Sequence, residues 1–157
     1  MANTLYRLIN PAVRWLLRSP LHGLMSQNTL LLEFTGRKSG RALSTPISYY
    51  VKDETAHCFT SRSFAWWRNL TTGQQVRVTI KGHGWQSTPV VESSDHPLME
   101  SQLDAFLRAV PRDAAHAGVF LDEKGNPNPD DIRRVIPGMV YLKFPLENST
   151  AIMSADS

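Results

Sequence analysis

"TLLLEFTGRKSGRALSTPISYYV", residues 29–51, decides how this chain is read. Its two ends are strand-like: an apolar, β-prone run at 29–35 and a roughly alternating run at 43–51. Between them stand two glycines, Gly36 and Gly40, and three cations, Arg37, Lys38 and Arg41. A hairpin needs only about two to five turn residues and no particular charge. Successive backbone N–H groups in a glycine-bounded turn can form a concave nest for an anion. Arg37 offers a planar fork and Lys38 a mobile point charge, while Ser39, Ser44 and Thr45 add neutral donors. A phosphate or carboxylate group suits this set; a solvated basic hairpin is the plain alternative.

Working outward, further strands are expected at 56–61 ("AHCFTS"), 75–82 ("QVRVTIKG"), 84–92 ("GWQSTPVVE") and 138–146 ("GMVYLKFPL"). The run at 75–82 alternates cleanly, with Val76, Val78 and Ile80 on one face and Arg77, Thr79 and Lys81 on the other. His83-Gly84 is expected to turn it into the next strand. Residues 65–73 read as one or two helical turns closed by Gly73. Residues 94–110 read as a long helix before the last strand. Ser94 or Asp95 would cap it, Pro97 suits its first turn, and Leu98, Leu103, Phe106, Leu107 and Val110 form its stripe. Residues 121–132 read as a polar loop. Residues 3–18 read as an N-terminal helix, kinked at Pro11. Five or six strands on short turns predict an antiparallel sheet that curls into a small barrel, in the α+β class. The expected division is a helical segment at 1–27, the barrel at 28–147 and a flexible tail at 148–157.

The charge is uneven although the net is only +3 over 157 residues. Residues 1–52 carry seven Arg or Lys against one acid, Glu33, whereas residues 92–157 carry six against eleven. An anionic partner therefore belongs to the N-terminal third. The basic helix at 3–18 makes an anionic membrane surface one candidate; packing on its own domain or in a homodimer is the other. No stretch approaches the roughly 20 apolar residues of a membrane span, so a cytoplasmic, soluble chain is expected. A single cysteine, Cys58, excludes an internal disulfide and a cysteine-based zinc site, and reads as a small buried hydrophobe. Nucleic acid is not expected, because the cations lack an interleaved aromatic platform.

A second constellation is "SRSFAWWRN", residues 61–69. Of two adjacent tryptophans, one can pack in the core while the other lines a cleft and meets a flat ring. Arg62 and Arg68 reach charged substituents, and Asn69 can bond a ring carbonyl or N–H. Two core tryptophans and a capping Asn69 are the alternative. The five histidines show no metal-ligand spacing, and no nucleophile elbow, dinucleotide fingerprint or P-loop is present. Asp122-Glu123 and Asp130-Asp131 read as solvated pairs. If the chain is an enzyme, a cofactor carries its reaction.

These residues resemble the deazaflavin-dependent nitroreductase family. The resemblance is carried by "LEFTGRKSGRALSTPISYYV", then "CFTSRSFAWWRNL", then "QVRVTIKG", in matching order and spacing over roughly residues 28–92. It implies a split β-barrel of the flavin/deazaflavin oxidoreductase superfamily, antiparallel and FMN-binding-like. It further implies that Arg37, Lys38 and Ser39 hold the phosphate and acidic tail of coenzyme F-420, with Arg41, Thr45 and Pro46 nearby. Trp66 and Asn69 would lie beside the deazaflavin ring, and Ser61 and Arg62 would border the same groove. The implied reaction passes a hydride to a small hydrophobic electron acceptor: a quinone, nitroaromatic or activated alkene. Related split barrels bind FMN or lipids, so an FMN enzyme and a non-catalytic lipid-binding protein are the alternatives. Where many relatives carry Gly-Gly and Pro before the tryptophan, this chain has Ser63-Phe64-Ala65. In place of a tyrosine-rich substrate segment it has "VPRDAAHAGVFLDEKGNPNPDD", residues 110–131.

Overall fold

The structure is a computed structural model that describes residues 28–93 and 97–146. The expected N-terminal helix with its membrane contact, the Ser94 or Asp95 cap and the C-terminal tail lie outside the described residues. The elements run β1 (Thr29–Thr35), β2 (Ala42–Ser48), β3 (Tyr50–Lys52), β4 (Thr55–Ser61), β5 (Val76–Ile80), β6 (His83–Ser87) and β7 (Val90–Glu92). Then follow α1 (Pro97–Ala109), α2 (Asp113–Ala117), α3 (Pro129–Val135) and β8 (Met139–Pro145). Two 3-10 turns, Trp66–Thr72 and Ile136–Gly138, complete the order.

The strands form two four-stranded antiparallel sheets, ordered β2-β1-β5-β6 and β3-β4-β8-β7. Two runs read as single strands each divide and change sheet. The first breaks at Tyr49, whose N–H donates to the Asn28 carbonyl instead of a ladder partner. The second breaks at Thr88-Pro89, where proline has no N–H to give the ladder. These corners let the sheets close on one another. They also raise the strand count from the expected five or six to the eight observed among the described residues.

The β5–β6 hairpin differs from the expected turn. It reverses at Lys81-Gly82, with φ of 50° and 81°, and His83 and Gly84 already belong to β6. A two-residue hairpin needs positive φ at both central positions, and glycine supplies one of them without steric cost. The register pairs Val78 with Trp85 and so keeps both on the inner face. At Gly84 the Arg77 guanidinium lies over the backbone, 2.6 Å from where a Cβ would stand, so a larger residue there would displace that side chain.

Alternation along β4 and β8 divides the interior into two cores. Ala56 and Cys58, with Val140, Leu142 and Phe144, face into the barrel and meet Leu30, Leu32 and Phe34 of β1. Cys58 is fully buried, as its sequence context predicts, and burial pushes its thiol pKa up. Phe59 and Tyr141 face the other way and are covered by Met99, Leu103, Phe106 and Leu107 of α1. These helix positions recur at three-to-four spacing, as expected of an amphipathic helix, but the stripe starts at Met99, and the expected Leu98 is exposed. The second core is thus a layer laid on the outside of the β3-β4-β8-β7 sheet.

A buried polar bridge pins that layer. The Tyr141 hydroxyl lies 2.5 Å from Nδ1 of His57 and 3.2 Å from Oε1 of Gln102 on α1. Nε2 of His57 faces the Lys52 carbonyl at 3.3 Å, and Tyr50 stacks on the imidazole at 5.0 Å. Burial lowers the His57 pKa, against an opposing contribution from the Lys52 carbonyl, and the Lys143 charge lowers it further. A base whose folded pKa lies below its unfolded value takes up its proton first in the unfolded chain as pH falls. Its stabilisation is therefore present above the ordinary imidazole value of about 6.5 and is lost as pH drops through the folded value. Urea unfolding midpoints should hold near about pH 8 and decline toward about pH 5.5, and His57→Gln should flatten that decline. Identical pH profiles for the two proteins would rule the bridge out as the source.

Candidate active site

The turn 36–41 is held by four of its own N–H groups. Gly36 donates to the Arg41 carbonyl at 2.8 Å, Gly40 to the Gly36 carbonyl at 2.9 Å, and Arg41 to Oγ of Ser39 at 3.2 Å. The fourth, the Arg37 N–H, donates to Oδ1 of Asn69 at 2.9 Å. A Cβ on Gly36 would stand 2.6 Å from the Ser39 hydroxyl and displace it, and Gly40 takes the positive φ of 67° that the turn needs. The N–H groups of Lys38 and Ser39 have no acceptor among the described residues. The side chains of Arg37, Lys38 and Arg41 are exposed and have no carboxylate partner among the described residues. Three cations and two consecutive amides thus stand uncommitted at one edge of the barrel. Such a set is complementary to a polyanion.

Asn69 does more than the sequence suggests. Its Nδ2 donates to the Trp66 carbonyl at 2.9 Å while its Oδ1 holds Arg37, so both ends of the amide are engaged within the protein. Gln74 reinforces the joint: its amide pairs with both the N–H and the carbonyl of Thr35, each at 2.8 Å, and also donates to the Asn69 carbonyl at 2.8 Å. The cationic turn and the tryptophan turn are therefore one braced unit. Gln74 went unnoticed in the sequence because a glutamine after a glycine carries no pattern of its own.

Beside this unit opens a cavity of about 810 Å³. Thr45, Pro46, Ser61 and Trp66 line it, so four of the ten expected site residues meet there. Arg37, Lys38, Ser39, Arg41, Arg62 and Asn69 are not in its lining. Of these, Arg62 points its guanidinium to the Ser93 carbonyl. Trp66 is 5% exposed and tilts against Phe34, with ring centroids 6.0 Å apart. Trp67 is buried as well, and its Nε1 donates to the Arg62 carbonyl at 3.2 Å. Both tryptophans are core residues, and Trp66 alone of the pair also borders the cavity.

The other walls come from residues the sequence reading left out. Phe59, Leu103, Phe106 and Leu107 make an apolar floor, and the half-exposed Phe64 stands at the mouth. Asp113, His116 and Ala117 of α2, with Arg134 and Val135 of α3, form the far wall. Neither helix was expected: α3 begins inside the stretch 121–132 read as a polar loop, and no element was assigned to 113–117. A signal for α3 was present: Asn128 accepts from the N–H groups of Asp130 and Asp131 at 2.9 and 3.1 Å, and Pro129 opens the helix. Of the acids read as solvated, Asp122, Asp130 and Asp131 are engaged, and Asp131 is partly buried. Asp131 accepts from Arg134 and from the Phe120 N–H, and Arg134 first lowers its pKa. Asp122 closes the 122–126 turn through Lys124 and Asn126, and these bonds lower its pKa, that from Asn126 foremost.

A separate groove of about 380 Å³ runs along β1, β5 and β6 past the Glu33–Arg77 ion pair, whose atoms are 3.6 Å apart. Among the described residues no helix is long and apolar enough to cross a membrane.

Comparison with known proteins locates this architecture. An FMN-binding protein related to pyridoxamine 5'-phosphate oxidase, from Nostoc punctiforme, is 16% identical with a TM-score of 0.52, covering 86% of this chain and 78% of that one. A FAD-binding protein from Mesorhizobium loti is 12% identical with a TM-score of 0.51, covering 82% and 90%. A structure described as a domain-swapped dimer is 14% identical with a TM-score of 0.53, covering 87% and 96%. The shared fold is the two-sheet antiparallel split barrel. Within it, residues 16–105 match the family of F420H(2)-dependent quinone reductases, and this chain belongs to that family. It is an oxidoreductase, and its cofactor is F420. No curated protein matches the chain.

The joint yields a direct test. Asn69→Ala leaves the Arg37 N–H without its acceptor and frees the cationic turn from the tryptophan turn. The variant should lose about 1–3 kcal/mol of stability, and the Arg37 amide should exchange its hydrogen faster by a comparable factor. Unchanged Arg37 exchange would show that the turn does not depend on Asn69.

Proposed function

We propose that the cations of the 36–41 turn hold the phosphate-bearing tail of F420 while the cavity beside Trp66 receives its deazaflavin ring. The single observation that carries this reading is the braced joint. Uncommitted positive charge on one turn and a cavity bordered by Trp66 of the other belong to one hydrogen-bonded unit. The donor set fits the group: Arg37, Lys38 and Arg41 match an acidic tail, with the open amides of Lys38 and Ser39 beside them. Thr45, Pro46 and Ser61 would border the ring, and Arg62 would stand at the edge of the groove. Asn69 would act mainly by holding Arg37 and Trp66 in place, because its own amide is already engaged.

Bound there in its reduced form, F420 supplies a hydride. The protein supplies position and dryness. Phe59, Phe106 and Leu107 exclude water from one side, and the cavity lies within the range of about 300–1,000 Å³ in which small ligands are recognised. Two flat molecules held face to face in such a space react without a side-chain nucleophile or acid–base pair. The acceptor we propose is a quinone, with nitroaromatics and activated alkenes as further electrophiles of similar shape. Pairing of two chains is also proposed, in keeping with the domain-swapped dimer of the same fold.

Calorimetric titration with F420, FMN and a fatty acid tests the assignment. Tight binding of F420 is expected, and Arg37→Ala combined with Lys38→Ala should weaken it by about 2–4 kcal/mol, since charged hydrogen bonds contribute about 1.5–3 kcal/mol each and rarely add in full. Unaltered F420 affinity in the double variant would remove the tail-binding role from this turn. Tight binding of FMN or fatty acid without F420 would overturn the ring assignment.

A further inference from the structure

The cavity has two chemically different sides. The strand side presents hydroxyls and no charge, through Thr45, Ser48 and Ser61. The helical side presents Asp113, His116 and Arg134. Most of that helical charge is already spent. Asp113 pairs with Arg112 at 3.5 Å, and Arg112 also donates to the Asn28 carbonyl and to Oγ1 of Thr29. Arg134 pairs with Asp131 at 2.8 Å and donates to the Gly118 carbonyl at 2.9 Å. The two arginines therefore strap α2 at both ends, one to β1 and one to α3. What α2 offers the cavity between those straps is His116, which is exposed and has no hydrogen-bond or ion-pair partner among the described residues.

A donor held on a fixed wall, facing a cavity and left without a protein partner, is suited to a ligand oxygen. We propose that His116 meets the oxygen of the electron acceptor and stabilises the negative charge that develops there, so that it selects quinones whose oxygen becomes or already is an anion. The reading rests on the ring of F420 occupying the Trp66 side of the same cavity. Charge arriving on a quinone oxygen is stabilised by a hydrogen-bond donor placed beside it in a cavity partly shielded from water. The groups able to influence it are few. Asp113 with its partner Arg112 lies on its own segment, and Arg134 with its partner Asp131 lies on α3. The α1 side of the cavity offers only Leu103, Phe106 and Leu107, and the strands offer no charge. Between mutually satisfied ion pairs, His116 is the group left to answer the ligand.

Two naphthoquinones separate this role from mere lining. Menadione is neutral, whereas lawsone carries a hydroxyl that is ionised at neutral pH. Their binding can be followed by tryptophan fluorescence with oxidised F420 already bound, so that no turnover occurs. His116→Ala should weaken lawsone by about 10-fold or more, as expected for one charge-assisted hydrogen bond, and menadione by less than about 3-fold. His116→Gln, which keeps a neutral donor, should fall between. F420 affinity should be the same in all three proteins. Equal losses for both quinones, no loss for either, or no quinone binding to the unaltered protein would each overturn the proposal. Failure of F420 itself to bind would instead strike the cofactor assignment, so the two readings fail separately.

Discussion

Everything at the site hangs on one amide. Asn69 accepts from the backbone of Arg37 and donates to the backbone of Trp66, and so joins two turns that are 32 residues apart in the chain. Both bonds are to main chain, so they set where each turn sits and leave the side chains of Arg37 and Trp66 free for other work. A cofactor with an anionic tail and a flat ring demands a fixed distance between the groups that hold each end. In a barrel built of short turns, nothing in the strands alone supplies that distance. Gln74 matters for the same reason, because it fixes the end of β1 from which the cationic turn departs.

The position of the cavity follows from a second constraint, the division of the interior into two cores. Along β4 the side chains alternate, so Cys58 enters the barrel while Phe59 enters the layer under α1. The ridge between those cores reaches the protein surface where β4 ends, at Thr60 and Ser61. Barrel residues such as Trp66 and helical-layer residues such as Phe106 line the same opening. A cleft at the seam of two separately packed cores can be shaped without leaving either core underfilled.

How much of this was legible depended on whether a residue's work was local. The strands at 29–35 and 75–80, the α1 stripe and the burial of Cys58 were readable, because each follows from a periodicity or a single property. The cationic turn was readable because charge between two strands is conspicuous. The turn at Lys81-Gly82 was misplaced by two residues, since "KGHG" offers two glycines and only the register of Val78 against Trp85 chooses between them. The strand breaks at Tyr49 and Pro89 needed the second sheet to be known, as each break is a change of sheet rather than an end. Asn69 was singled out for its chemistry toward a ring, whereas its hydrogen bonds lie within the protein. Reading those bonds required knowing that residues 37 and 66 are neighbours.

The helical wall was the least legible part and is the most particular to this chain. Residues 113–117 are too short to show a helical period, and α2 is held by the burial of Ala114 in the second core together with two arginine straps. Arg112 ties its start to β1 and Arg134 ties its end to α3, and neither contact is a sequence neighbour. Local propensity therefore says little about this segment, while long-range hydrogen bonds decide it. The division of labour has a consequence for specificity. The cationic turn and the tryptophan turn rest on the barrel itself, joined to it through Asn69 and Gln74. The α2 wall lies outside the barrel and rests on Ala114 in the helical layer, two surface arginines and one glycine carbonyl. It can be re-aimed by substitutions that leave the barrel intact, which makes it the part of the cavity where choice among acceptors is cheapest to change.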